Sequence, residues 1–261
     1  MTSDGVPDSY KNLFSKLKPE ASSTDTPEIN RISIREGVFR KVVDGKETEV
    51  LGGGALKFVI VKTAPISRMY YASEFVSGDH NTPTCWSDDQ TTGRPSVNVT
   101  EGKQNSTCFD CKQNIKGSGQ GNSRACRFRQ RIAVMLVDDN GELTDDTVYQ
   151  LDLPSTSIFG NDQKKMSMQA YAKYLNANKT PLATVLSEAR FDPDAVIPKL
   201  CFKAVRPLEE QEVLMAMHAQ KDPDTKQLVK LVFKSNAPRS SAYNVDNVFD
   251  AVEGEGVYLH K

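Results

Sequence analysis

Four cysteines, Cys85, Cys108, Cys111 and Cys126, stand in the pattern C-x22-C-x2-C-x14-C within one stretch of the chain. The pair Cys108-Phe-Asp-Cys111 has the two-residue spacing with which one loop presents two thiolates to a single ion. Cys85 and Cys126 complete a set of four. Four thiolates suit a tetrahedral Zn²⁺ first, the commonest structural solution, with a [4Fe–4S] cluster, which accepts ligands from scattered loops, as the alternative. The plainer readings are ordinary buried thiols or two disulfides, and disulfides need an oxidising compartment for which no export signal speaks. Cys201, in Lys199-Leu-Cys-Phe-Lys203, reads as a small buried apolar residue. Of the three histidines, His80 lies near enough to Cys85 to substitute for a thiol, His218 reads as helix surface, and His260 is remote. No Ser/His/Asp or Cys/His set and no paired carboxylates occur at usable spacing, so a non-enzymatic protein is expected.

A second chemistry overlaps the first. Between Lys103 and Arg131 seven cations (Lys103, Lys112, Lys116, Arg124, Arg127, Arg129 and Arg131) meet one carboxylate, Asp110, although the whole chain carries a formal charge of only -1. Phe109 and Phe128 lie in the same strip, Trp86 follows Cys85, and Tyr70 and Tyr71 precede the stretch. Cations interleaved with flat aromatic faces are what a single strand of nucleic acid requires, because its phosphates are neutralised while its unpaired bases stack. Lys112, Lys116, Arg124, Arg127, Arg129 and Arg131 are the candidate phosphate contacts, and Tyr70, Trp86 and Phe109 the candidate stacking platforms. The plain alternative is a solvated basic surface with its aromatics in the core. The glycine-rich run Gly117–Ser123 reads as a flexible loop. It lacks the closing Gly-Lys-Ser/Thr of a phosphate loop and follows no strand, so nucleotide hydrolysis is not expected. Two glycosylation-like triplets, at Asn98 and Asn105, are read as chance.

These groups need a frame. From Ile32 to Phe75 apolar residues alternate with period two, with a tight turn at Asp44-Gly45 and a bend at Gly52-Gly53-Gly54, and strands are predicted at Leu56–Thr63 and Arg68–Phe75. Residues 76–128 lose periodicity. Strand pattern returns at Gln130–Val137, turns at Asn140-Gly141, and continues through Val148–Leu153 and again at Ile197–Val205. Lys164–Ala177 is predicted helical with Ser167 as N-cap. Thr180-Pro181 opens a second helix to Arg190, and Leu208–Gln220 a third. The result is a mainly β, α+β chain: an OB-like antiparallel β-barrel of five strands over 29–75 and 129–207. It carries a cysteine-rich metal-binding insertion over 76–128 and peripheral helices, with a C-terminal helix and extension over 208–237. A disordered arm over 1–28 and a mobile tail over 238–261 complete it. A β-sandwich of equal strand number would produce the same pattern.

At 261 residues, 38% hydrophobic and 26% charged, the chain has material for one large or two small domains. It contains no apolar run near the ~20 residues that span a bilayer. The first ten residues lack the marks of a secretory signal. A cytoplasmic location without membrane contact is therefore expected.

The segments TPTCWSDDQTTGRPS, CFDCKQNIKGSGQGNSRACRFRQRIAV, VYQLDLPSTSIFG, MSMQAYAKYL and PKLCFKAVRPL resemble a family of bacteriophage-encoded, single-stranded-DNA-binding-like proteins of the replication module. The resemblance covers about residues 32–207 and is most specific over Cys108–Arg131. It implies metal ligation by Cys85, Cys108, Cys111 and Cys126, an infected bacterial cell as the setting, and single-stranded DNA, with replication proteins, as partners. A looser, architectural likeness is to the T4-type helix-destabilising proteins, whose metal-binding insertion uses a histidine. Many phage single-strand binders end in a strongly acidic tail. Here Asp246, Asp250, Glu253 and Glu255 are dilute, and Lys261 closes the chain, so recruitment through the terminus is not expected. An iron–sulfur protein with a redox or sensing role, and a phage structural or host-interaction protein, remain as alternatives.

Overall fold

A computed structural model of the chain describes residues 29–51, 54–72, 83–90, 94–95, 104–105, 107–138, 140–143 and 145–231. The expected arm and tail, Gly52, Gly53, His80, Lys103 and His260 lie outside these residues.

Strand follows strand where the apolar alternation was clearest. β1 (Arg31–Arg35), β2 (Val38–Val43) and β3 (Lys46–Leu51) form a meander. Its two turns each place a polar residue and a glycine at positive φ, Glu36-Gly37 and Asp44-Gly45. Two successive left-handed residues match the twist of antiparallel strands, which is why such dipeptides close hairpins. β4 (Ala55–Thr63), β5 (Ser67–Tyr70), β6 (Cys85–Ser87), β7 (Arg94–Pro95), β8 (Arg127–Leu136), β9 (Val148–Pro154), β10 (Val185–Phe191) and β11 (Leu200–Pro207) complete the described strands.

They build one curled, half-barrel sheet in the order β11-β10-β4-β8-β9-β1-β2-β3. β5, β6 and β7 branch from β8. The pairing is antiparallel except between β1 and β9. The sheet is thus mainly β, as expected, but larger than five strands. The stretch around Cys85, expected to be irregular, contributes β6 and β7 to it. Among the described residues no helix is long and apolar enough to cross a membrane.

Both faces of the sheet's centre are covered. On one, Phe58, Ile60, Ile132, Val134, Leu151 and Leu153 pack with Met168, Tyr171 and Leu175. The last three belong to α2 (Met168–Ala177), which follows the single turn α1 (Ser155–Ile158). On the other face, Val59, Val61, Ala133 and Met135 meet Ala216 and Ala219 of α3 (Glu210–Lys221). α4 (Pro223–Leu228) follows directly. Alternate residues of a strand point to opposite faces, so β4 and β8 serve both cores with one continuous apolar run.

Ser167 caps α2 as expected, its side chain accepting from the Ala170 N–H at 3.3 Å. The helix expected from Thr180 to Arg190 does not form. Pro181 is extended, Leu182–Thr184 make a single 3₁₀ turn, and Val185–Phe191 become β10 between β4 and β11. Thr-Pro is a helix-start signal, but Val185, Leu186 and Ala189 are buried by pairing on both sides, and that long-range burial outweighs a local cap. Of the strand predicted over Arg68–Phe75, β5 covers Ser67–Tyr70, and residues 73–75 lie outside the described residues.

α3 starts with a capping box, in which the Glu212 carboxylate accepts from the Glu209 N–H at 2.8 Å. The same carboxylate grips Arg206 of β11 through two bonds of 2.6 and 2.8 Å. The Arg206 hydrogen bonds, more than any other influence, hold the Glu212 carboxyl down to about 2. Because an unfolded glutamate titrates near ~4.3, this contribution is complete above that value and is lost as pH falls towards 2. Glu212→Gln is expected to cost about 2 kcal/mol at pH 7, since it leaves a half-covered guanidinium without its counter-charge. The acid side of its stability–pH curve should be flatter than that of the unaltered protein. Urea titrations from pH 2 to 7 check this, and curves that run parallel throughout would refute the linkage.

Candidate nucleic-acid interface and thiol centre

Cys85 opens β6, Cys108 and Cys111 bracket a turn, and Cys126 immediately precedes β8. Although up to forty residues separate them, all four border one cavity of ≈ 10 Å³, room for about one water-sized sphere. Each is buried, 7–8% exposed. Burial raises the Cys108 thiol, and it pushes Cys126 up to about 11; the Arg68 guanidinium pulls both back. The sulfurs border the cavity without closing on a point, and among the described residues no three His, Cys, Asp or Glu groups stand in coordinating geometry.

The donor chemistry nonetheless fits a thiophilic cation. Burial raises Cys108 and Cys126 and so favours their protonated form, and a bound metal is what would exchange ligand protons for positive charge.

The loop between Cys111 and Cys126 is built to hold its ends together. A 3₁₀ turn at Lys112–Asn114 returns the Asn114 N–H to the Cys111 carbonyl at 2.9 Å, and the Cys126 N–H donates to the Gln113 carbonyl at 2.8 Å. Asn114 is the hub. Its Nδ2 donates to the Cys108 carbonyl at 2.8 Å, and its Oδ1 accepts from Arg68 and, at 3.4 Å, from Arg124. The glycine run, expected to be flexible, is bonded to itself: Gly117 and Gly119 N–H both reach the Ser123 carbonyl, at 2.9 and 3.1 Å. A Cβ on Gly119 would come within 2.6 Å of Ser123 Oγ and 2.9 Å of the Arg124 backbone, so the closure requires glycine there.

The candidate phosphate contacts divide by position. Lys112, Lys116 and Arg124 are exposed on this lobe. Arg127, Arg129 and Arg131 occupy alternate positions of β8 and therefore share one face of the sheet. Met69 is registered against both Arg127 and Trp86, which places Trp86 in the same cross-strand row. Tyr71 joins them, its hydroxyl donating to Met69 Sδ at 3.5 Å; burial raises its phenol, and the nearby Arg129 guanidinium pulls it part of the way back. Tyr70, one residue earlier, pairs with Cys85 and lines the thiol cavity instead. Trp86 also borders that cavity. Phe109, between the two lobe cysteines, is 90% exposed. Phe128 is packed edge-on against Phe159, with ring centroids 4.9 Å apart, and so serves the core.

Not every arginine stands free. Asp152 lies opposite Arg131 on β9, 3.8 Å from Arg129, a carboxylate that the sequence strip alone did not reveal. Arg131 also donates to the Lys230 carbonyl, fastening β8 to the end of α4. Beside it opens a cleft of ≈ 800 Å³ that joins Lys62, Arg131, Lys226 and Lys230 against Asp88 and Asp89.

Tyr71, Asn114, Arg68 and the lysines of the cleft were all missed by sequence reasoning. Only Tyr71 had a usable signal, since alternation from Met69 places it on the opposite face from Tyr70. No family model matches the chain, and neither the curated proteins nor the solved structures gave a match.

Proposed function

We propose that this protein binds single-stranded nucleic acid, DNA foremost, without sequence preference and without catalysing a reaction. The observation that carries the proposal is the shared face of Arg127, Arg129, Trp86 and Tyr71, with the exposed Phe109 and the lobe cations Lys112, Lys116 and Arg124 nearby in the chain. A flexible strand can lay phosphates along the guanidiniums and stack bases on the aromatic planes, whereas a rigid duplex offers no unpaired base face. The OB-like reading of the curled sheet, the resemblance to phage replication proteins, and a cytoplasmic setting in an infected bacterium belong to the same proposal.

The four cysteines, in this reading, hold one metal that stiffens the lobe. A cavity of ≈ 10 Å³ bordered by four cysteines favours a single ion such as Zn²⁺ over the larger [4Fe–4S] cluster.

Phe109 supplies the sharpest test, because a ring so exposed contributes little to folding. Phe109→Ala is expected to keep the melting temperature within a degree or two and to weaken binding of a dT oligonucleotide by ~1–3 kcal/mol. Fluorescence anisotropy and a thermal scan on the same samples measure both. Unchanged affinity would remove the stacking role, and an unaltered protein that ignores dT oligonucleotides at low salt would sink the function itself.

A further inference from the structure

Arg68 is the least expected side chain in the molecule. It is only 9% exposed, on β5, with its guanidinium carbon 4.0 Å from the centre of the Phe128 ring. One terminal nitrogen donates to Asn114 Oδ1. Its Nε–H is buried without a partner, and among the described residues no carboxylate pairs with it. A buried cation so placed is strongly unfavourable unless an anion compensates it. Arg68 lines the cavity of the four thiols, which are anion-capable groups.

We infer that Arg68 is the built-in counter-cation of the four-cysteine metal centre, donating its free Nε–H to a ligating sulfur and so holding that ligand in place. The inference rests on the reading of Cys85, Cys108, Cys111 and Cys126 as ligands. The charges then balance. Four thiolates around a divalent ion carry -2, as do four thiolates around a [4Fe–4S]²⁺ cluster, and the guanidinium brings the buried total to -1. Without it the buried charge of the site stays at -2, and a ligating sulfur loses the hydrogen bond that orients it. The Asn114 bridge gives Arg68 a second hold on the site, since that amide also binds the Cys108 carbonyl at 2.8 Å. Arg68 is thus a positioning residue, acting through the ligands.

The test compares the full-length protein with Arg68→Met, which keeps the stem and removes the charge, and Arg68→Lys, which keeps a charge. All are purified anaerobically, assayed for zinc and iron, and challenged with excess chelator while metal release is followed. Arg68→Met is expected to release its metal ~10–100-fold faster, with Arg68→Lys intermediate. Release from Arg68→Met at the unaltered rate would overturn the role of Arg68 while leaving the ligand reading standing. An unaltered protein that purifies without metal and takes none up would instead overturn the ligand reading, and this inference with it. Should Arg68→Met not fold, a crystal structure of the loaded, unaltered protein decides. Nε bonded to a cysteine sulfur supports the inference, and Nε bonded to water or a carbonyl refutes it.

Discussion

Cys111→Ser protein should emerge from purification without bound metal and with a lobe that proteases open between Thr107 and Arg127. The expected loss is large because the lobe's own hydrogen bonds, around Asn114 and Ser123, each contribute only about 1 kcal/mol. None of its four cysteines belongs to either apolar cluster of the sheet, and the cluster residues nearest the lobe are those of β8 itself. Structural zinc sites in small domains are worth on the order of 10 kcal/mol in apparent binding free energy, and that energy is folding energy for the loop that makes the site. Unfolding of the variant should therefore become two-stage, with the lobe lost first and the sheet retained, because both cores persist. Lys112, Lys116, Arg124 and Phe109 then lose their fixed positions, and affinity for a dT oligonucleotide should drop by about tenfold or more. Cys201→Ser, altering a half-buried thiol away from the cavity, is the control and should change neither metal content nor binding. Metal analysis, limited proteolysis with mass mapping, and anisotropy cover the three claims. Full metal content in Cys111→Ser would disprove the four-thiol centre.

The second large effect concerns salt. If Lys112, Lys116, Arg124, Arg127 and Arg129 each neutralise a phosphate, log K should fall against log salt with a slope of about -3.5, since each contact on a single strand contributes about 0.7. Between 50 and 200 mM salt this amounts to a loss of about 10²–10³-fold. Arg127→Ala/Arg129→Ala should reduce the magnitude of the slope by about 1.4 and weaken binding uniformly across oligonucleotide sequences. Arg131→Ala should behave differently. Its guanidinium is committed to the Lys230 carbonyl and faces Asp152, so its removal should lower stability more than it lowers the slope. A salt-independent affinity, or a double variant with the unaltered slope, would show that the strip meets something other than a polyanion.

Much of the frame was legible because its signals are local. The alternation of Ile32, Ile34, Val38 and Val42, the Asp44-Gly45 turn, the Ser167 cap and the strands around Ile132 and Leu151 depend on residues a few positions apart, and each appears close to where pattern places it. The error at Thr180–Arg190 has the same root. A helix-start dipeptide was weighed against neighbours in sequence, whereas the deciding neighbours were Val59 and Phe202, reached only through the sheet.

The candidate site divides along that line. The sequence by itself determined which side chains are available: four thiols at ligand spacing, a run of guanidiniums, and aromatic rings among them, because residue type and short spacing are written in one dimension. Only the tertiary structure decided that Tyr71 and not Tyr70 stands with the arginines, that Asp152 partly neutralises them, and that Phe128 is packed away. It also decided that Arg68, 43 residues before Cys111, is buried beside the thiols. The reason is physical: strand pairing sets which face a residue shares, and burial sets what a charge costs, and both depend on partners that the chain brings near only after it has folded.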